Sequence, residues 1–368
     1  GKTIGLPARL LRRRISEQPV YRAPRADEPP LIARADDIAW LNAKLDETSV
    51  GQCCTAMLVG PPGIGKTAVV QAFVSHAEMR GWRFIESRLQ PSDVDRPMSV
   101  FVELFPALLK ASGALGAAPE SIAQLRRLVE FHVVDDILAN KSQEAEAVQA
   151  RIRESTLDLL DAVTHEGPLV LVLEDLHWVD RQSLRLLTWV LEHATKAPVL
   201  WLLTARMEGR FADLRDVLPA DRVPSRTIEP LGRSSTMALF RACIPEAQRD
   251  TDQPVPEHAY DVTGGNPLFI REVAGHWAET GGTEALPGNL KALMRGRVAR
   301  LPAAAQRVLH CCAVLGRFAS VPRVSVVLEI STTELLACIE EVDGLGLVGL
   351  GGEPGSLSLH DLWQEELI

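Results

Sequence analysis

Residues 60–67 read Gly-Pro-Pro-Gly-Ile-Gly-Lys-Thr, which is the G-x-x-x-x-G-K-T spacing of a phosphate-binding P-loop. An apolar run, 56–59, precedes the loop and a run of helical character, 67–80, follows it, so the strand–loop–helix context that the motif requires is present. Glycines let backbone N–H groups turn toward phosphates, and the following helix presents the positive end of its dipole to them. The Lys66 amine can reach the β- and γ-phosphates, and the Thr67 hydroxyl can bind Mg²⁺. The residues assigned to the phosphate site are Gly60, Pro61, Pro62, Gly63, Ile64, Gly65, Lys66, Thr67 and Ala68.

A second apolar run, 169–173, ends in two carboxylates, Glu174 and Asp175. A continuous apolar run of this length is typical of a strand buried on both faces, and parallel strands bring such carboxylates to the same sheet edge as the P-loop. There one carboxylate can hold Mg²⁺ while the other orients or deprotonates an attacking water. We interpret this segment as a Walker B strand; a buried strand that ends in an ordinary acidic turn is the alternative. The predicted metal ligands are Thr67, Glu174 and Asp175, and both carboxylates are also assigned to catalysis.

A third apolar run, 199–203, is followed by Thr-Ala-Arg206. If this run is a neighbouring strand, Arg206 lies at the same sheet edge and can contact the γ-phosphate as a further catalytic residue. A surface arginine is an equally good interpretation of Arg206.

Strand-like and helical runs alternate up to about residue 230, which predicts a parallel sheet with helices on both faces. The run 82–85 is a further predicted strand, and 98–166 is mostly helical in pattern. Pro106 and the stretch 113–119 are predicted to interrupt that helical region.

The strand signal fades after residue 230, where short helical runs dominate. Helices followed by a hairpin-like pair, 346–350 and 356–359, are typical of a winged helix. The predicted fold class is therefore an α/β P-loop NTPase with a parallel sheet, followed by a small helical domain and a winged-helix domain. The predicted domains are a linker or tail of an upstream domain at 1–30, a P-loop domain at 31–230, a helical lid at 231–285 and a winged helix at 286–368.

Composition limits the classes of function. The chain has 368 residues, room for two or three domains, and a net charge of −9, which argues against a stand-alone nucleic-acid binder. No signal peptide and no apolar stretch of membrane-spanning length is present, so we expect a cytoplasmic protein without a membrane partner. The six cysteines lack zinc-ligand spacing and are expected to be free thiols. The chain stops inside an apparent helix, 361–368, which indicates a fragment of a longer protein.

Residues 174–180 read Glu-Asp-Leu-His-Trp-Val-Asp and resemble the D-D-L-H-W-A-D sequence of STAND-class P-loop ATPases, which are signal-transduction relatives of the AAA+ family. This class includes MalT-like and large LuxR-type bacterial regulators, and modules that follow nucleotide cyclase or kinase domains. Residues 265–268 are similar to its G-N-P-L motif, 359–361 resemble its M-H-D motif, and 31–34 occupy the place of its V-G-R-E entry motif. The resemblance covers about 31–368.

The resemblance implies a site and a working cycle. In the family the motif proline packs near the adenine, the histidine contacts the β-phosphate of ADP, and the entry arginine lies against the adenine; the matching residues are Pro267, His360 and Arg34. The implied cofactors are ATP or ADP with Mg²⁺. Exchange of ADP for ATP would open a closed monomer and allow self-association, and slow hydrolysis would reset it. The output, expected to be transcriptional, and any contact with DNA would belong to domains outside this chain, and the sequence does not name the signal or partner protein that activates it.

Two departures from the family pattern concern the site. Glu174 stands where many members have aspartate at the metal position, with Asp175 at the catalytic position, so weaker Mg²⁺ binding or slower hydrolysis is expected. A shifted register with Asp175 on the metal stays open. Ala33 replaces the glycine of the entry motif and the acid after Arg34 is delayed to Asp36, which leaves the adenine contact open.

Two other functions are compatible with the sequence. A DNA-binding AAA+ initiator or remodelling ATPase would use the winged helix and its basic residues, although a solvated face is the preferred interpretation of that patch. A scaffold that binds nucleotide without hydrolysing it would explain the glutamate at position 174. The basic residues in question are Arg295, Arg297, Arg300 and Arg307.

Overall fold

The chain divides into two compact units. The larger holds the described part of Tyr21–Leu239 together with Asn266–Leu268, and the smaller holds the described parts of Phe240–Gly265 and Phe269–Ile368. The domain boundaries predicted near residues 230 and 285 stay predictions. In this computed structural model the described residues are 30–131, 143–194, 197–207, 211–219, 221–244, 259–280, 290–343, 348–350, 355–359 and 367.

The larger unit is built on a five-stranded sheet with the order β2-β3-β4-β1-β5. Every strand pair in it is parallel, and β1 ends directly at the P-loop. The predicted parallel α/β P-loop fold is therefore confirmed. Its strands are β1 Cys54–Val59, β2 Arg83–Arg88, β3 Leu169–Glu174, β4 Val199–Ala205 and β5 Ser225–Thr227.

Helices follow the strands in the order that parallel connections require. The helix that follows β1 is α2, and it begins within the P-loop motif at Lys66. The helices with most or all of their residues in the larger unit are α1 Ala35–Ser49, α2 Lys66–Met79, α3 Ser99–Lys110, α4 Pro119–Phe131, α5 Gln143–His165, α6 Arg181–His193, α7 Phe211–Val217 and α8 Arg233–Cys243.

Alternate residues of the central strands enter two separate hydrophobic cores. In β3, Leu169, Leu171 and Leu173 pack with residues of α3 to α6, whereas Val170 and Val172 pack with residues of α1 and α2. A strand covered by helices on both faces has no polar face, which is why this run of sequence is apolar without alternation. The two cores fix the carboxyl edge of the sheet, where the candidate site lies.

The predicted interruption at Pro106 is wrong, because α3 runs through it. A proline inside a helix removes one backbone hydrogen bond and crowds the preceding turn. The same helix contributes Phe101, Leu104, Phe105 and Leu108 to the core, and this burial of large apolar side chains outweighs the local cost.

The smaller unit contains a second set of helices and a hairpin. The predicted hairpin is found on the described residues as the antiparallel strands β6 Val348–Leu350 and β7 Leu357–Leu359. A third core joins residues of α11 to α14 with Leu357 of β7. The helices are α9 Ala259–Thr263, α10 Pro267–Thr280, α11 Leu290–Arg300, α12 Ala303–Leu315, α13 Val321–Leu328 and α14 Thr332–Asp343, with the first residues of α10 belonging to the larger unit.

None of the helices in the described part of the chain combines the length and the apolar character needed to cross a bilayer.

Candidate functional site

The P-loop backbone connects β1 to α2 at the carboxyl edge of the sheet. Gly63 and Gly65 adopt φ angles of +74° and +97°, which L-residues with a side chain rarely adopt. Gly65 immediately precedes α2, so the loop delivers its backbone N–H groups to the positive end of that helix. This is the geometry that an anionic phosphate requires.

Lys66 is the first residue of α2 and its side chain is directed back over the loop. Its Nζ donates to the carbonyl oxygens of Gly60 at 3.0 Å and Pro61 at 3.1 Å, and only 8% of the residue is exposed. The ammonium group is therefore held at the loop that the sequence assigns to phosphates.

Thr67 and Glu174 bring the two halves of the predicted metal site together. The Thr67 hydroxyl donates to the Glu174 carboxylate at 2.5 Å, across 107 residues of sequence. Glu174 is the last residue of β3 and is 1% exposed. A hydroxyl beside a carboxylate is a pair of hard oxygen ligands, so the donor set fits Mg²⁺.

Asp175 follows the end of β3 in the left-handed region, with φ +58°. Its carboxylate lies 3.3 Å from Arg88 Nε and 4.0 Å from His177 Nδ1, and its backbone N–H donates to the Thr204 hydroxyl at 3.0 Å. Aspartate tolerates left-handed backbone better than most residues. The carboxylate thus contacts side chains of β2 and of the following turn, and the backbone of Asp175 is held by β4.

Glu86 on β2 is a second carboxyl group beside Glu174 that the sequence did not single out. Burial, and then the negative charge of Glu174, raise the pKa of Glu86 to about 8, while Arg88 opposes the shift. The Glu86 carboxyl also shares a hydrogen bond with Glu174, which acts in the same direction on its pKa. Nothing in the local sequence of β2 indicates this pairing, which depends on the neighbouring strand.

Arg206 directly follows β4, whose last residue Ala205 accepts a hydrogen bond from Gly60 N at 3.3 Å. The structure thus brings Arg206 to the sheet edge that carries the P-loop and Glu174. Its side chain is half-buried.

Arg34 reaches the P-loop from the segment before α1. Its Nη2 donates to the Ile64 carbonyl at 3.0 Å, and the residue is 6% exposed. Burial lowers the pKa of this guanidinium, and the nearby carboxylates of Asp37 and Glu229 oppose that shift. Ala33 before it has φ +54°, so the residue that replaces the motif glycine is in left-handed backbone.

Residues 266–268 lie on the other side of the P-loop. The Asn266 Nδ2 donates to the Pro62 carbonyl at 3.0 Å, and Leu268 N donates to the Gly63 carbonyl at 3.2 Å. Pro267 is close as well, because a Cβ placed on Gly65 would lie 4.0 Å from its Cγ. Asn266 and Leu268 were not predicted as site residues.

His360 lies outside the described residues, and its predicted contact with the β-phosphate stays a prediction.

Asp180, the last residue of the 174–180 sequence, joins two helices. Its Oδ1 accepts from the backbone N–H groups of Gln182, Ser183 and Met98 at 2.9 Å each. Its Oδ2 accepts from the N–H of Ser99 at 3.0 Å and from its hydroxyl at 2.9 Å. This buried carboxylate therefore caps both α3 and α6 and has a structural role.

The cysteines form no disulfide bonds. All six cysteines are free, and burial raises the pKa of Cys53 and of Cys312 to about 12. Within the described ranges, no group of three or more His, Cys, Asp or Glu side chains is placed to hold a metal ion.

Comparisons with known proteins agree with this geometry. Residues 30–202 match the sequence family described as the AAA ATPase domain. An uncharacterized protein of Rhizobium meliloti (strain 1021) is 23% identical over 257 residues, or 66% of this chain and 25% of that protein. The chain thus spans a quarter of the length of this curated relative.

Two solved structures are similar over most of the chain. A Signal Transduction ATPase with Numerous Domains (STAND) protein with a tetratricopeptide repeat sensor, from Pyrococcus horikoshii, has a TM-score of 0.57 at 12% identity, over 93% of this chain and 43% of that one. The Aeropyrum pernix ORC1 protein, solved with DNA, has a TM-score of 0.43 at 16% identity, over 95% of this chain and 96% of that one. The likeness to the STAND protein concerns the fold alone. Together with the parallel α/β fold, the match of residues 30–202 supports a P-loop ATPase module in this part of the chain.

Proposed function

We propose that this chain is the nucleotide-operated switch of a STAND-type signalling protein. It binds ADP or ATP with Mg²⁺ at the P-loop, hydrolyses ATP slowly, and uses the exchange of ADP for ATP to leave a closed monomeric state and self-associate. The cytoplasmic location and the transcriptional output expected from the sequence are part of this proposal, and the output belongs to segments outside this chain.

The contact between Thr67 and Glu174 is the observation that carries the proposal. It places the P-loop hydroxyl on the carboxylate of the neighbouring motif, 2.5 Å away. The pair supports the register in which Glu174 is at the metal position and Asp175 at the catalytic one. Bound Mg²⁺ would supply charge neutralisation between the phosphate oxygens.

The remaining residues position the nucleotide and the water. Lys66 provides the cation at the phosphates, and its present acceptors are the carbonyls of Gly60 and Pro61. Asp175 is the base for the attacking water, held by Arg88 at 3.3 Å. Arg206 stabilises charge on the γ-phosphate from the end of β4.

We assign the smaller unit to a helical lid and a winged helix. Helices α12, α13 and α14 share one core with the β6–β7 hairpin, which supports that assignment. In DNA-binding helix-turn-helix folds the last helix of such a set enters the major groove. Here α14 carries acidic residues and no basic one, which disfavours the DNA-binding alternative. Its acidic residues are Glu334, Glu340, Glu341 and Asp343.

Phosphate release from ATP by Asp175→Asn tests the catalytic assignment. Removing the base should leave ADP binding unchanged and slow steady-state release about 100-fold. The matched control is Asp46→Asn, which changes an exposed carboxylate paired with Arg80. Unchanged release by Asp175→Asn would contradict the assignment, and nucleotide binding without release by the unaltered chain would favour the non-hydrolysing scaffold.

A further inference from the structure

The carbonyl groups of the P-loop are held from two sides. The Lys66 ammonium donates hydrogen bonds to the carbonyls of Gly60 and Pro61. The carbonyls of the next three residues accept hydrogen bonds from segments that are distant in the sequence. These are Asn266 Nδ2 to Pro62 at 3.0 Å, Leu268 N to Gly63 at 3.2 Å and Arg34 Nη2 to Ile64 at 3.0 Å.

Holding a carbonyl also fixes the direction of the next N–H. The peptide group is planar and its C=O and N–H point in opposite directions. Bonds to the carbonyls of Pro62, Gly63 and Ile64 therefore orient the N–H groups of the residues that follow each of them. In a phosphate loop, those N–H groups are the ones that bind the anion.

The contact between residues 266–268 and the loop is tight. A Cβ on Gly63 would lie 2.8 Å from Leu268 Cβ and 3.0 Å from Asn266 Oδ1, so only glycine fits there without a shift. Asn266 Oδ1 also accepts from Leu268 N at 3.0 Å, so one side chain orders the segment and binds the loop.

Chain connectivity gives these three residues a further property. Asn266–Leu268 belongs to the larger unit, whereas the stretches on both sides of it, Phe240–Gly265 and Phe269–Ile368, belong to the smaller unit. The contacts that hold the carbonyls of Pro62 and Gly63 therefore lie within the larger unit.

We propose that Asn266–Leu268 is a latch that orients the phosphate loop, with Asn266 as its positioning residue. The inference rests on the proposed nucleotide site. While the latch is in place, the P-loop N–H groups are oriented and bound ADP leaves slowly; without its hydrogen bonds the loop relaxes and ADP is released faster. The coupling is reciprocal, so bound ADP also stabilises the latched position.

Release of a fluorescent ADP (mant-ADP with Mg²⁺), chased with excess ATP in a stopped-flow instrument, tests the latch. Asn266→Ala removes the donor to Pro62 and the acceptor of Leu268 N, and should accelerate release about tenfold. Asn266→Asp keeps the acceptor and removes the donor, so its rate should be intermediate. The control is Ser75→Ala, which removes a local hydroxyl bond inside α2 to Gln71 O at 3.0 Å and should release ADP at the unaltered rate.

Hydrogen exchange supplies a readout that a purely structural role would not change. ADP should slow exchange in α10 of the unaltered chain, and Asn266→Ala should abolish that protection. If both Asn266 variants release ADP at the rate of the unaltered chain and keep its protection of α10, the latch is wrong and the proposed function is unaffected. Absence of ADP binding to the unaltered chain would overturn the proposed function and the latch with it.

Discussion

At the scale of the residue, two left-handed positions lie beside the candidate site. Ala33 precedes Arg34 with φ +54°, and Asp175 follows Glu174 with φ +58°. This conformation costs an L-residue about 1–2 kcal/mol, less for aspartate, whose side chain can bond locally. The backbone at Ala33 explains why a glycine suits this place in the entry motif.

Ala33→Gly should stabilise the protein. Relief of the left-handed strain exceeds the extra entropy that glycine adds to the unfolded chain, which leaves a net gain of about 0.5–1 kcal/mol in the free energy of unfolding. Urea unfolding followed by tryptophan fluorescence measures it. Ala43→Gly, the same change at an exposed position inside α1, should cost about 1 kcal/mol. Loss of stability in both variants would show that Ala33 is not strained.

At the scale of the element, the sequence predicts β1, β3 and β4 because each is an apolar run buried on both faces. The sequence does not predict β5, because Ser225–Thr227 consists of three polar residues. These residues form a strand by pairing with β1. The sequence also misplaces a break at Pro106, because local propensity carries no information on how much core a helix buries. Asp180 is a comparable case, a residue of the signature whose partners at Met98 and Ser99 are more than 80 residues away.

Asp180→Ala should destabilise the larger unit strongly. It leaves the first N–H groups of α3 and α6 without their shared acceptor, at a cost of about 3 kcal/mol for two lost caps in a buried site. Equilibrium urea unfolding measures the change. Thr188→Ala, within α6, removes a single hydrogen bond to Leu184 O and should cost about 0.5 kcal/mol or less. Similar costs for both variants would contradict the double cap.

For the molecule as a whole, the phosphate site joins segments of the larger unit that are far apart in the sequence. The sequence locates the P-loop by its motif spacing and the carboxylates Glu174 and Asp175 by the apolar run before them, and their roles stay predictions. The contacts of Asn266 with Pro62 could not be predicted, because a separation of 204 residues leaves no local pattern. The chain spans a quarter of the length of its curated relative and 43% of the length of the STAND protein.

The proposed switch requires that the P-loop of this chain binds an adenine nucleotide. Isothermal titration of Mg²⁺–ADP into the nucleotide-free chain, beside Lys66→Ala, tests it most directly. We expect one ADP per chain, and an affinity at least about tenfold weaker in Lys66→Ala, because the buried ammonium at the phosphate loop is removed. No heat of binding with the unaltered chain, or equal affinity in the two proteins, would contradict it.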